Sequence, residues 1–186
     1  MEDGNAVDVE AGQVIDFWRG VGRKRWFAPD ENLDNELLRR FSGIHDRISR
    51  SDPEQLLASP KRALAALIVL DQFSRNMFRG TPAMFASDVF ARFIAAAAVD
   101  QRFEQEYETD MRAFFYLPFE HSEALADQHR SVALFEKLGD EEYLRFAEAH
   151  RQIIQKFGRF PHRNAILGRE VTPEEDEFLK TQGSSF

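Results

Sequence analysis

The sequence predicts an all-α protein, an array of antiparallel helices joined by short connections. Three observations carry this. Apolar residues recur at three- and four-residue intervals along most of the chain. Asp-Pro, Ser-Pro and Thr-Pro pairs start segments, and single glycines end them. No stretch alternates apolar and polar residues in the manner of a strand. At 186 residues the chain is read as one domain, 8–182, between flexible ends at 1–7 and 183–186. No internal period is legible, so a solenoid-type array is inferred from the succession of helices alone.

The first helix is expected from about Asp8, with Val14, Ile15, Phe17 and Trp18 on one face and Gly20 and Gly22 closing it. Trp26 and Phe27 then fall in a short loop. Asp30 caps a second helix, where Leu33, Leu37, Phe41, Ile44 and Ile48 form a clean stripe. Asp52-Pro53 starts a short turn and Ser59-Pro60 a helix that is apolar on every side from Ala63 to Leu70, as expected of a rod surrounded by others. Polarity returns at Asp71, and Asp71, Arg75 and Arg79 follow at four-residue spacing on one face.

Beyond Gly80, Ser87 or Thr81 caps a helix through Val89, Phe90, Phe93, Ile94 and the Ala95–Ala98 run. Thr109-Asp110 opens a short helix interrupted at Pro118. Ser122 is read as the cap of a helix to Leu138, with Leu125, His129, Val132, Leu134 and Phe135 as its apolar surface, and Gly139 ends it. Asp140 caps the next, whose inward stripe is Tyr143, Phe146, Ala147, His150, Ile153, Ile154 and Phe157. Thr172-Pro173-Glu174-Glu175 is a capping box before the last helix.

Composition bounds the function. No run of 18 apolar residues occurs, and no membrane partner is expected. The polar, acidic start and the absence of cysteine point to a cytoplasmic location. They also exclude disulfides, thiolate nucleophiles and Cys-based zinc sites. A net charge of -8 argues against general nucleic-acid binding.

Against that background, His150–Arg169 stands out. It holds Arg151, Lys156, Arg159, Arg163 and Arg169, two histidines and no acid. Gln72–Ser87, with Arg75 and Arg79, is acid-free as well. The reading is that both line one electropositive pocket. Arg75, Arg79, Arg159 and Arg163 would meet a carboxylate or phosphate, with Asn164 beside them; His121, His150 or His162 would add hydrogen bonds, and Trp26, Phe157 or Phe160 would pack on the apolar part. Asp71, Glu120 and His121 are the acid–base candidates. Each has a plainer role open to it: Asp71 pairing with Arg75, His150 in the core, the arginines fastening helices to acids. Glu120, His121 and Glu123 match no metal-ligand spacing, so neither metal nor cofactor is expected.

Phe17-Trp18, Trp26-Phe27, LDQFSRNMFRGTPAMFASD (70–88), FFYLPFEHSE (114–123) and FGRFPHRNAILGR (157–169) together resemble the bacterial family known as domain of unknown function 924. The resemblance runs from about Val9 to Leu179 and implies a tetratricopeptide-like α-α superhelix. It implies no activity. One departure is SRSDPEQLLASPKR (49–62), which lacks the Gly and Trp of the family pattern. The expected function is binding of a small anionic molecule, with hydrolase- or lyase-type acid–base chemistry possible on it. The alternative is a helical module that holds an acidic peptide or a C-terminal carboxylate. Nothing in the sequence speaks to the oligomeric state.

Overall fold

The structure, a computed structural model, describes residues 2–181, 183 and 184, with side chains from Val7 onward. Residues 1, 185 and 186 of the expected flexible ends, and residue 182 at the expected domain boundary, lie outside the described residues. All regular structure among the described residues is helical, as the sequence predicts. The chain forms two compact units, Met1–Arg79 with Ala83–Pro118, and Gly80–Pro82 with Phe119–Phe186.

In the first unit, α1 (Glu2–Val21) begins ahead of the expected Asp8. The Trp26 segment is a single helical turn, α2 (Arg23–Trp26), rather than a loop. Trp26 donates from its indole to Trp18 O at 2.7 Å, and its ring meets Phe114 edge-on at 4.9 Å. The expected stripe of α3 (Glu31–Ile48) buries Leu33, Leu37 and Phe41, and Asp30 caps it by accepting from Leu33 N. A turn, α4 (Pro53–Leu56), leads to α5 (Pro60–Leu67), whose capping side chain is Ser59.

The all-round apolar run behaves as predicted, with Ala63 to Leu70 buried throughout. α5 packs against α1, α4 and α7 (Asp88–Asp100). Sequence periodicity does not disclose that the rod then widens into a π-helical turn, Ile68–Phe73, before α6 (Ser74–Met77). Ser74 N reaches back to Val69 O, and Leu70 O accepts the Ser87 hydroxyl at 2.6 Å. Ser87 therefore satisfies a carbonyl of the widened turn and makes no side-chain cap on α7. Such turns loosen the regular ladder and need partners of this kind.

Ala91, Ile94, Ala95 and Ala98 of α7 are buried, whereas Val89 and Phe93 face outward. Pro82–Asp100 is long and apolar enough, by length and composition, to pass for a membrane span. The α-helical part has 13 residues, about 20 Å of rise against a hydrocarbon core of about 30 Å. α8 (Thr109–Ala113) completes the unit.

The second unit starts within α9 (Leu117–Glu120) and is built on the pair α10 (Leu125–Leu138) and α11 (Glu141–Phe157). Gly139 (φ 79°) and Gly158 (φ 69°) end these helices in the left-handed conformation that residues with a Cβ resist. Asp140 caps α11, accepting from Glu142 N and Tyr143 N. Two expectations change here. The cap position of α10 is Ala124 rather than Ser122, and the buried face of that helix is Gln128, Ser131 and Phe135. Phe146, placed in the inward stripe of α11, is 40% exposed, and Tyr143, Ala147, His150, Ile153 and Ile154 make the buried face. Ile153, Ile154 and Phe160 form a small core with Phe157 and Phe178 against it. A 3-10 turn, Pro161–Arg163, and the capping-box helix α12 (Pro173–Leu179) follow.

Candidate functional site

The polar residues at the end of the buried rod form a closed network within the first unit. Arg75 grips Asp88 through both carboxylate oxygens at 2.9 and 3.1 Å, and also reaches Asp71 Oδ1 at 3.1 Å. Burial pulls the Arg75 guanidinium down, but Asp71 and Asp88 outweigh it and hold its pKa above the ordinary value. Asp71, only 1% exposed, also accepts from the Gln72 amide. Arg79 turns to Asp34 with two bonds, at 2.6 and 2.9 Å. Both arginines expected to face a ligand are thus committed to acids, and Trp26 is a core residue, 5% exposed.

A cavity of about 560 Å³ in the same unit is floored by Val14, Ile44, Ile48 and Leu56 and rimmed by Arg47 and Arg62. These two arginines pair with Glu10 and Asp8. None of Trp26, Asp71, Arg75 and Arg79 lines it.

The basic stretch of the second unit divides in two. Its outer arginines are fasteners. Arg159 donates to both carboxylate oxygens of Glu175, at 2.7 and 2.8 Å, and to Glu170 O. The Arg159 bonds, and after them the Thr172 backbone N–H, hold the Glu175 carboxyl down to about 2. Arg169 donates to both oxygens of Glu123, and Glu123 also accepts from Phe160 N. The 157–169 loop is pinned at both ends in this way.

Its inner residues form a different kind of environment. Phe160 is fully buried and serves as the hub: the His150 ring stands edge-on at 5.5 Å, the His162 ring lies at 5.6 Å, and the Arg163 guanidinium sits over its face at 4.6 Å. Arg163 also donates to His121 O at 2.9 Å. His150 Nδ1 lies 2.9 Å from Phe146 O, one turn back on α11, and 3.4 Å from Glu120 Oε1. The His121 and His150 rings are 6.1 Å apart. Glu120 and His150 are each 4% exposed. Burial pushes the His150 imidazolium well below the ordinary histidine range, helped by His121, His162 and Arg163, against the Phe146 carbonyl. The ring is neutral at neutral pH.

Gln128 holds the corner that carries Glu120 and His121. Its amide lies 2.6 Å from Glu120 O, 2.7 Å from Ser122 O and 3.4 Å from Phe119 O. Sequence reading missed this residue, because a polar side chain on a helix face is read as solvated. Its one sequence signal was position, three residues before Ser131 and seven before Phe135 on the same face. Of the expected site residues, then, Glu120, His121, His150, His162 and Arg163 gather in one cluster. Asn164 is fully buried and is not among them.

No curated protein matches this chain. It is similar to a solved structure, that of a protein of unknown function, ATU0120, from Agrobacterium tumefaciens. The two share 44% identity with a TM-score of 0.89, over 92% of this chain and 97% of that one. Residues 14–183 match the family described as "Bacterial protein of unknown function (DUF924)", and the chain belongs to that family.

Proposed function

We propose that the cluster of Glu120, His121, His150, His162 and Arg163 in the second unit is the functional site, and that it binds a small carboxylate or phosphate. One observation carries this reading: a buried carboxylate, Glu120, is gathered with three imidazoles and a guanidinium around Phe160. An anion suits such a set, because guanidinium and imidazole N–H groups make charge-assisted hydrogen bonds to carboxylate and phosphate. The near-complete burial of Glu120 and His150 favours a small ligand over an acidic peptide, which would need an open groove.

If a reaction follows binding, His150 is a neutral base at neutral pH and Glu120 is the group that orients it, which suits proton abstraction of hydrolase or lyase type. Asp71, the other acid considered, is held by Arg75 and Gln72 and is better read as structural.

The test is a thermal-shift series with inorganic phosphate and with simple carboxylates. A ligand at about 100 times its Kd adds about 2.7 kcal/mol of apparent stability. The response is expected to disappear in Arg163→Gln and to persist in Arg79→Gln. An unchanged melting temperature in the parent protein at millimolar anion sinks the proposal.

A further inference from the structure

Glu120, His121 and His150 each present one ligand atom, and these atoms all lie within 4.8 Å of one another. We infer that the three side chains bind a divalent first-row metal ion, zinc(II) by preference, and that its open coordination positions receive the oxyanion. The second half of this statement rests on the anion reading above; the metal site itself does not.

The donor set fits. Zinc binds imidazole nitrogen and carboxylate oxygen at about 2.0–2.2 Å, so neighbouring ligand atoms stand roughly 3.3 Å apart. The three ligand atoms are already gathered within 4.8 Å of one another, so modest side-chain rotation brings them to that spacing. Two imidazoles and one carboxylate leave positions open for water or substrate, as in catalytic zinc sites and in non-haem iron(II) sites. The chain has no cysteine to offer a softer ligand.

The surrounding bonds are those a metal site requires. Phe146 O can only accept, so Nδ1 of His150 carries the proton and the ring's lone pair lies on Nε2. Gln128 grips the Glu120 and Ser122 carbonyls on either side of His121, and Arg163 grips the carbonyl of His121 itself. Outer hydrogen bonds of this kind orient ligands before the metal arrives. Arg163, brought to the same corner, supplies a second positive group for an anion held on the ion. The competing explanation is that Glu120 and His150 merely satisfy each other as a buried pair.

The deciding experiment is calorimetric titration of ZnCl2 into EDTA-stripped, dialysed full-length protein, with cobalt(II) absorption as a second readout. The expected result is one zinc per chain, with d–d bands of nitrogen-ligated cobalt in the parent protein. His121→Ala, at a half-buried position, and Glu120→Gln should each weaken zinc at least about 100-fold, since loss of an outer partner alone costs about 10–100-fold. His129→Ala, an exposed histidine of α10, should change nothing. Absence of a stoichiometric zinc site in the parent protein overturns the inference, as does binding that both cluster variants retain. If the variants do not fold, the cobalt spectrum of the parent protein decides alone: bands without nitrogen ligation refute the site. Phosphate is then titrated into metal-free and zinc-loaded protein. Phosphate binding without zinc binding refutes the metal and leaves the anion reading standing. Zinc binding without any phosphate response does the reverse.

Discussion

The polar end of the buried rod and the His150 cluster use similar residue types to opposite effect. Around Arg75, charge is closed. Two aspartates answer one guanidinium, Gln72 and Asn76 complete the bonding, and nothing is left for a ligand to do. Around His150, Glu120 is gathered with three imidazoles and a guanidinium, and much of the bonding runs to backbone carbonyls and an aromatic face. The lesson is that an acid-free basic stretch says little by itself. What separates a fastener from a site is which acids the fold delivers. A buried ion pair is costly to halve, because the charge left behind is uncompensated, whereas removing a group kept for binding costs the fold little.

The largest effect that could break this contrast is expected at Arg75. Arg75→Met leaves the buried Asp71 and the half-buried Asp88 without their cation, and about 3–5 kcal/mol of stability should be lost in urea denaturation. A loss below about 1 kcal/mol would show that the network is not structural. Next comes Gln128→Leu, which strips the donor from the Glu120 and Ser122 carbonyls. The expected cost is about 1–3 kcal/mol, with zinc affinity falling about 10–100-fold while far-ultraviolet dichroism stays helical. Unchanged zinc affinity would detach the corner from the site.

Glu120→Gln sharpens the contrast from the other side. It should weaken zinc at least about 100-fold yet move stability by less than about 1 kcal/mol, or raise it, because a carboxylate is traded for a neutral group of the same shape. A collapse of several kcal/mol would mean that Glu120 belongs with Arg75 as a fastener.

The smallest effect is seen only in acid. Arg159 and the Thr172 N–H hold the folded Glu175 carboxyl at about 2, against an ordinary 4.5. The unfolded chain therefore takes up the proton first. The contribution of Glu175 is complete above about pH 4.5, shrinks as the pH falls, and is gone below about 2. Arg159→Gln should flatten this limb of the stability–pH curve while leaving the slope above pH 5 as it was.

Much of the architecture is legible because helix signals are local. Asp30, Asp140 and Thr172 bond to backbone N–H groups two or three residues on, and Gly139 and Gly158 act on the turn that precedes them. The apolar rod from Ala63 to Leu70 announces its own burial, since a helix apolar on every side can lie only among others. Less legible is the widened turn at 68–73, because the same residues support a regular helix and the choice depends on Ser87 reaching Leu70 O. Phe146 faces outward and Gln128 inward for a similar reason: which face of a helix is buried depends on the neighbour that covers it.

Within the candidate site the division is sharper still. The residues themselves, His121, His150, His162 and Arg163 among them, were visible as chemistry in the chain. Their assortment was not. Arg79 takes Asp34, Arg169 takes Glu123 and His150 meets Glu120. Charge attraction has no sequence range, so these pairings follow from packing alone. Capping, periodicity and composition act within a few residues and are written in the sequence. Which charge pairs with which is decided between segments far apart in the chain, and only the folded protein decides it.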